Sequence, residues 1–324
     1  MHHELKSSPE TVHWGVFDAS LPAVLRVASG DTVTFHCLSG APDDLPASGF
    51  DIPPELDEVH RKVKRGPGPH FMTGPVFVEG AMPGDVLEIR ILSAELRSDW
   101  GWNLIVPGHG TLPEDFPKLR RLHIRLDRER MVAHLPWGME LPLSPFFGVM
   151  GVAPPPEWGA ITSVIPRAHG GNIDNKELVP GTTLYLPVWA EGGLLSLGDG
   201  HAVQGDGEVC LTAIETCLSG KMEIHLRRDM KLRFPRAETP THHITMAAEP
   251  DLDDAAKEAL RDMIALVREE SGLAAEDAYT LCSLAADLRI TQLVDVNKGV
   301  HVMLAKALLP PKSGAGRRGE EANS

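Results

Sequence analysis

An eleven-residue stretch, GDGHAVQGDGE at positions 198–208, carries three carboxylates and one histidine among four glycines. Its Asp199 and His201 are two residues apart and follow the apolar segment LLSL. If a strand continues through them, both side chains leave the same face and can share one ion. Carboxylate and neutral imidazole are a workable ligand pair for zinc or a related divalent metal. The alternative is a turn in which Asp199 caps backbone amides and His201 packs.

Other acids and amides could join this chemistry. Asp206 stands between two glycines and is interpreted as a turn former. Glu208 opens the apolar stretch EVCLTAIE, which predicts a strand, and its carboxylate could be a ligand or a partly buried general base. The segment HGGNIDNKEL presents Asn172 and Asp174 behind a double glycine. Glu79 interrupts an apolar strand, so it must face water or have a partner, because burying a lone acid is costly.

Several familiar chemistries lack their sequence signatures. There is no GxSxG elbow, and Ser144 and Ser196 lack the flanking glycines that one requires. No Walker A or dinucleotide-binding fingerprint is present. The cysteines form no CxxC pair, which indicates reduced, packed thiols in a cytoplasmic protein; they are Cys37, Cys210, Cys217 and Cys282.

The elements that position these residues are mainly strands. Segments 27–38, 81–92 and 178–188 each place a glycine turn before alternating apolar residues, which is typical of half-buried strands. The first 240 or so residues therefore predict a β-sandwich or barrel. Long Pro- and Gly-rich loops at 39–70 and 136–159 are expected to build the binding site. Trp100 and Trp102 in SDWGWN are interpreted as packing residues, with a substrate wall as the alternative.

The composition changes towards the C-terminus. Acids in the first turn, periodic apolar residues and Gly272 predict a helix over 251–272. A second helix is expected over 275–287, followed by the strands RITQLVDV and KGVHVMLAKALL. The predicted regions are a β-sandwich-like region (1–160), a β-rich region carrying the GGNID and GDGHAVQGDGE motifs (161–245), an α+β region (246–310) and a disordered tail (311–324).

Charge and hydropathy restrict the possible partners. The formal net charge of −14 repels nucleic acid and anionic membranes, so neither is expected as a partner. No signal-peptide core and no run of about 18 apolar residues is present, which favours a cytoplasmic protein.

Five segments occur in the order and spacing of one known family. They are TGPVFVEGAMPGD (73–85), PFFGVMGVAP (145–154), HGGNIDNKEL (169–178), GTTLYLPVWAEGGLLSLGDGHAVQGDGE (181–208) and TAIE (212–215). Together they resemble the acetamidase/formamidase family from roughly residue 10 to residue 310. The chain departs from that pattern at His70, Phe71 and Met72, where the family usually has a proline. His70 is therefore not assigned as a family residue, although it could line the pocket.

The resemblance implies a hydrolase that splits a carbon–nitrogen bond of a short linear amide, such as formamide or acetamide, to ammonia and carboxylate. It further implies a β-sandwich and barrel body with a smaller α/β portion, and a homodimer or higher homo-oligomer. A bound divalent metal is expected, with zinc favoured and calcium possible. The resemblance also extends the expected substrates to cyclic amides such as γ-lactams.

These implications combine with the residues into one hypothesis. Asp199 and His201 are assigned as metal ligands, with Asp174 as the third. Glu79 or Glu208 would act as the general base for the hydrolytic water and then pass its proton to the departing nitrogen.

Two further roles complete this hypothesis. Asn172 could orient the amide of the substrate. The metal, or backbone amides of the Gly-rich loops, would stabilise the tetrahedral oxyanion.

Two alternatives belong to other classes. One is a non-catalytic β-sandwich that binds a small ligand or a metal, because a fold does not guarantee chemistry. The other is a metal-free hydrolase in which Glu79 and Asp174 share a proton, with a γ-lactam as a possible substrate. A nitrilase-type Cys–Glu–Lys triad is excluded, because no cysteine has the required surroundings.

Overall fold

The computed structural model describes residues 1–309, so the predicted tail at 311–324 lies outside the described residues. The strands are β1 His2–Leu5, β2 Val12–Trp14, β3 Val16–Phe17, β4 Leu25–Val27, β5 Asp31–Cys37, β6 Phe71–Val78, β7 Val86–Leu96, β8 Trp100–Ile105, β9 Arg120–Asp127, β10 Val132–His134, β11 Glu140–Pro142, β12 Phe146–Gly151, β13 Ile161–Thr162, β14 Gly170–Asn172, β15 Thr183–Pro187, β16 Leu195–Val203, β17 Ile214–Thr216, β18 Leu218–Arg227, β19 Arg236–Glu238, β20 His242–Glu249, β21 Asp287–Asp295 and β22 Asn297–Ala305. The helices are α1 Glu55–Lys62, α2 Leu252–Ser271 and α3 Ala275–Ala285, with short 3₁₀ turns at Pro42–Asp44, Pro156–Trp158 and Lys306–Leu308.

Most strands belong to two large sheets. The nine-stranded sheet has the order β1-β5-β18-β7-β15-β19-β20-β22-β21. The eleven-stranded sheet has the order β11-β10-β9-β8-β17-β16-β12-β14, and β6 joins β2 and β4 to β16. β3 and β13 form a separate pair. The predicted mainly β fold is confirmed, whereas neither sheet closes into a barrel within residues 1–309.

The two sheets share the largest apolar core, as in a sandwich. Phe35, Ile89 and Met222 come from the nine-stranded sheet, and Met150 and Leu197 come from the eleven-stranded sheet. Because side chains alternate between the faces of a strand, each sheet can bury one face against the other. The shared core fixes the strands of the eleven-stranded sheet that carry the site described below.

The C-terminal helices cover the far end of the nine-stranded sheet. Asp251 accepts hydrogen bonds from the backbone amides of Asp253 and Asp254, and Gly272 ends α2 with a left-handed backbone (φ 75°). Both termini therefore confirm the predicted helix. Helices α2 and α3 pack with β20 and β22 in a second apolar cluster.

The predicted division at residues 160 and 245 stays a prediction. The nine-stranded sheet draws strands from all three stretches of the chain, from β1 to β22. No helix among the described residues is long and apolar enough to cross a membrane.

Candidate active site

Three adjacent strands carry the centre of the site. In the register of β12 against β16, Phe147 lies opposite Gly200 and Val149 opposite Gly198, so Gly148 faces the Asp199 position. On the other side of β16, His201 lies directly opposite Glu215 of β17. Residues directly opposite one another in an antiparallel pair project to the same face.

The imidazole of His201 is surrounded by carboxylates. Its Nε2 atom lies 3.1 Å from Asp199 Oδ2, 3.2 Å from Glu215 Oε2, 3.8 Å from Asp174 Oδ1 and 4.0 Å from Glu208 Oε1. The predicted approach of Asp199 and His201 on one face of a continued strand is confirmed. The structure also brings Asp174 and Glu208 into the same group.

A glutamine determines the orientation of this imidazole. Gln204 donates from Nε2 to the backbone carbonyl of Asp174 at 2.7 Å, so its Oε1 faces His201 Nδ1 at 2.9 Å. An amide oxygen can only accept a hydrogen bond, and Nδ1 must therefore carry the proton. The lone pair of a neutral His201 then points at the carboxylates from Nε2, an arrangement that requires a shared cation or a second proton.

The pKa shifts of His201 and of the acids around it also favour positive charge within the cluster. Burial alone would lower the pKa of His201, but Glu215 and Asp199 outweigh it and hold that pKa well above its ordinary value. Burial raises the pKa of Glu215 to about 7, although His201 opposes the shift. Burial also raises the pKa of Asp295 to about 7, and burial together with neighbouring carboxylates raises the pKa of Asp174 well above its ordinary value.

The donor set fits a divalent cation. Two groups of three potential ligands share His201, one with Asp174 and Glu208 and the other with Asp199 and Glu215. Both carboxylate oxygens of Asp174 and the Oε2 atom of Glu215 are buried without a hydrogen-bond partner among the described residues. Such atoms are costly to bury unless something pairs with them.

The closest ligand atoms have the spacing of a tetrahedral site. Ligand atoms about 2.0–2.1 Å from a tetrahedral zinc lie roughly 3.4 Å apart, close to the two shortest distances around His201 Nε2. Calcium takes six to eight oxygen ligands, whereas one donor here is an imidazole nitrogen.

A glycine leaves room for the cluster. A Cβ atom on Gly148 would lie 2.5 Å from Asp174 Oδ1, 2.7 Å from Asp199 Oδ2 and 2.7 Å from His201 Cε1. The Gly148 carbonyl also accepts hydrogen bonds from the amides of Ile173 and Asp174, at 2.9 and 3.1 Å. Gly148 therefore holds the GGNID loop in place and provides space for its acid.

Three of the acids have an unusual backbone. Asp174, Asp199 and Glu208 have φ values of 51°, 55° and 45°, in the left-handed region that non-glycine residues rarely adopt. Such residues persist only where the surroundings hold them, and they concentrate at functional sites. The strand predicted from residue 208 is wrong, because the left-handed Glu208 and Leu211 (φ 114°) delay the strand to Ile214.

Two predicted acids lie elsewhere. Glu79 is exposed in the turn after β6, where its amide donates to the Val27 carbonyl, and it does not join the buried carboxylates. Its assignment as a candidate base is therefore withdrawn. Asp206 forms an ion pair with Lys176 at 2.9 Å and lies in a turn, as interpreted from its flanking glycines.

Sequence reasoning missed two acids that the fold adds to the group. Glu215 ends the TAIE segment and is 3% exposed, and Asp295 ends β21 and is 6% exposed. Each acid follows apolar residues in a strand, a signal like the one that drew attention to Glu79. His70 also lies here, with Nε2 3.8 Å from Asp199 Oδ2 and Nδ1 2.9 Å from Ser163 Oγ.

The carboxylates open into a cavity of about 510 Å3. The 39–70 loop, which contains α1, provides part of its wall through Ser39, Gly40 and His70. Asn172 also lines the cavity, and its Oδ1 atom is buried without a hydrogen-bond partner among residues 1–309. The expectation that the 39–70 loop helps to build the site is therefore confirmed, whereas no residue of the 136–159 loop is among those that line the cavity.

His169, which precedes the double glycine, makes stability depend on pH. Burial lowers the pKa of His169 to about 3, against an ordinary value of 6.5. Between these values the unfolded chain binds the proton that the folded protein excludes, so stability is full above pH 6.5 and falls as the pH falls. At pH 4.5 the loss should approach about 2.5 kcal/mol.

Urea unfolding at pH 7.5 and pH 4.5 measures this effect. The wild type should lose about 2.5 kcal/mol more on acidification than His169→Phe, because other groups titrate equally in both proteins. The exposed His2 provides the control, since His2→Phe should follow the wild type at both pH values. An equal loss in wild type and His169→Phe would contradict this assignment.

The sequence of this chain matches one family of known proteins. A sequence model of the acetamidase/formamidase family matches residues 3–161 and 157–310. The formamidase of Methylophilus methylotrophus is 27% identical over 307 residues, covering 75% of this chain and 73% of that protein.

Solved structures of acetamidases superpose well on this chain. The acetamidase of Bacillus halodurans superposes with a TM-score of 0.81 at 32% identity, covering 93% of this chain and 97% of that one. The acetamidase of Yersinia enterocolitica gives a TM-score of 0.84 at 30% identity, covering 96% and 93%.

Proposed function

This chain belongs to the acetamidase/formamidase family of hydrolases that act on linear amides, and from that premise we propose that it hydrolyses a primary amide to ammonia and a carboxylate with the help of a divalent cation. One observation carries the proposal: a buried imidazole nitrogen faces four carboxylates at the wall of a ligand-sized cavity. Clusters of this kind bind cations that assist hydrolysis.

His201, Asp199 and Glu215 would hold the cation, because Asp199 and Glu215 are the carboxylates closest to His201 Nε2. Asp174 would be the fourth ligand, with two carboxylate oxygens that have no other partner among the described residues. The imidazole nitrogen makes zinc the expected ion. When bound, such an ion supplies Lewis-acid polarisation and activates water near neutral pH.

Glu208 is the proposed general base. Its carboxylate lies 4.0 Å from His201 Nε2, further out than the three nearer acids, and Glu208 also lines the cavity. In that position it can take a proton from the attacking water and deliver it to the departing nitrogen. Without that proton, the amide nitrogen is a poor leaving group.

Asn172 is proposed to orient the substrate. Its buried Oδ1 can accept a hydrogen bond from the NH2 group of a primary amide. Binding the amide through this contact would hold the carbonyl carbon in a fixed position relative to the nucleophile.

The alternative hypotheses differ in how well they agree with the positions of these residues. A shared proton between Glu79 and Asp174 is incompatible with an exposed Glu79 and a buried Asp174. The γ-lactam substrate, the homodimer and the cytoplasmic location stay predictions. A protein that only binds its ligand would release no ammonia, so turnover distinguishes it from an enzyme.

Ammonia release from acetamide tests the function and the assignment of the base together. Glu208→Gln should lower kcat by about 10²- to 10⁴-fold, because the side chain keeps its size but cannot accept the proton. Glu79→Gln is the matched control and should keep wild-type activity. A fully active Glu208→Gln would remove Glu208 from the mechanism, and a wild type without turnover on any amide would overturn the proposed function.

A further inference from the structure

The cavity is much larger than a short amide requires. Acetamide has four heavy atoms and needs on the order of 100 Å3, at about 30 Å3 for a water-sized group. The cavity measures about 510 Å3, within the range of sites that enclose larger ligands. With acetamide bound at the carboxylates, most of this space would be filled by water.

Strand β8 builds an apolar wall that starts beside the carboxylates. Trp102 lies directly opposite Glu215, so the two side chains project to the same face of the sheet. Leu104 is two residues further along β8 on the same face, about 7 Å away, and Val106 follows it. All three residues line the cavity, which places apolar surface outward from the proposed catalytic centre.

Further apolar residues line the cavity. Leu38 and Val294 line it, and Leu38 is only 1% exposed. A Cβ atom on Gly40 would lie 3.5 Å from Trp102 Nε1, so the 39–70 loop lies close to the indole. The chamber therefore exists before a ligand arrives and would lose little freedom on binding.

Outside the carboxylate cluster, the Asp, Glu, Lys and Arg side chains that line the cavity are Asp44 and Arg65. Asp44 forms an ion pair with Arg121 at 3.0 Å. Arg65 is exposed and lies over the ring of Trp14. The apolar part of the lining, along Trp102, Leu104 and Val106, would stabilise an uncharged acyl group.

We propose that the preferred substrate is a primary amide with an uncharged, apolar acyl chain of roughly five or more carbons. The amide group lies at the carboxylates, and the chain runs outward along Trp102 and Leu104. This inference rests on the proposed amidase function. Trp102 and Leu104 are binding residues that determine specificity. Trp102 thus fits the substrate-wall alternative, whereas Trp100 is 1% exposed and is not among the residues that line the cavity, in line with the packing interpretation.

A homologous series of amides measures the effect. Each methylene buried in the chamber should raise kcat/KM about threefold to fourfold. Hexanamide, with four methylenes more than acetamide, should therefore be preferred by roughly 100-fold. Ammonia release from formamide, acetamide, butanamide and hexanamide gives the ratios directly.

Leu104→Trp provides a structural test because the larger side chain would fill the chamber. The ratio of kcat/KM for hexanamide to that for acetamide should fall at least tenfold. Leu119→Trp is the matched control, since Leu119 is 56% exposed and does not line the cavity. Its ratio should equal that of the wild type. An unchanged ratio in Leu104→Trp would overturn the proposed position of the chain.

The outcomes separate this inference from the function on which it rests. Turnover of every amide with acetamide or formamide preferred would overturn the inference and leave the amidase function standing. If no amide is hydrolysed, the proposed function fails, and calorimetric binding of hexanamide and acetamide then decides. Tighter binding of hexanamide would support the chamber, and equal or weaker binding would overturn it.

Discussion

Replacing Gly148 by alanine is expected to lower kcat/KM at least 100-fold. The new Cβ would lie 2.5 Å from Asp174 Oδ1 and 2.7 Å from both Asp199 Oδ2 and His201 Cε1, closer than carbon atoms approach such groups. The acids and the imidazole must therefore move, and a shift of about 1 Å in a catalytic group can cost 10²-fold in rate. Ammonia release from acetamide and bound metal per chain measure the loss.

Gly205→Ala is the matched control for this substitution. Gly205 lies in the same motif as Asp199, but a Cβ there meets nothing within 4 Å. We expect wild-type activity and wild-type metal content in this variant. Full activity in Gly148→Ala, in a protein with an unchanged circular dichroism spectrum, would show that the cluster is not the reacting centre.

Removing the cation should have the second large effect. Four buried carboxylates, from Asp174, Glu208, Glu215 and Asp295, and the half-buried carboxylate of Asp199 would be left without a cation. Lewis-acid assistance is worth several kcal/mol of barrier, so activity should fall by about 10³-fold or more. A ligand that binds the folded state also stabilises it, and chelation should therefore lower Tm.

Metal content in a pair of aspartate variants tests the same point. Asp199→Asn should lose the ion on dialysis, because a neutral amide replaces one of the two carboxylates closest to His201 Nε2. Asp206→Asn should keep it, because Asp206 pairs with Lys176 outside the cluster. Retention of one ion per chain by Asp199→Asn would contradict the ligand assignment.

Local patterns predicted the parts of the site that are close in sequence. Asp199 and His201 alternate along a strand, and period-two geometry is enough to place both on one face. Asn172 and Asp174 stand two residues apart behind the double glycine, and both line the cavity. These features depend on a few residues, which is why one sequence reveals them.

The remaining acids of the site are brought in by pairing between strands that are far apart in the sequence. Glu215 reaches His201 through the register of β17 against β16, and Asp295 arrives from the edge strand of the other sheet. Neither contact follows from residue spacing, because many strand orders fit the same alternation. The family resemblance located the TAIE segment but gave Glu215 no role.

The incorrect expectations also have physical causes. The apolar residues around Glu79 favour it as a base. However, β6 ends at Val78, and Glu79 lies exposed in the following turn with Gly80 (φ 76°). Glu208 begins an apolar stretch that would suit a strand, but it adopts a left-handed backbone instead. Tertiary contacts at a functional site override local preference in this way.

Ammonia release from acetamide, measured before chelation, after exhaustive chelation and after addition of zinc, tests the central claim most directly. The account predicts that activity falls by about 10³-fold on chelation and returns when about one zinc per chain is bound. Full activity in protein shown to contain no metal would contradict it, and the reaction would then have to be assigned to the carboxylates alone.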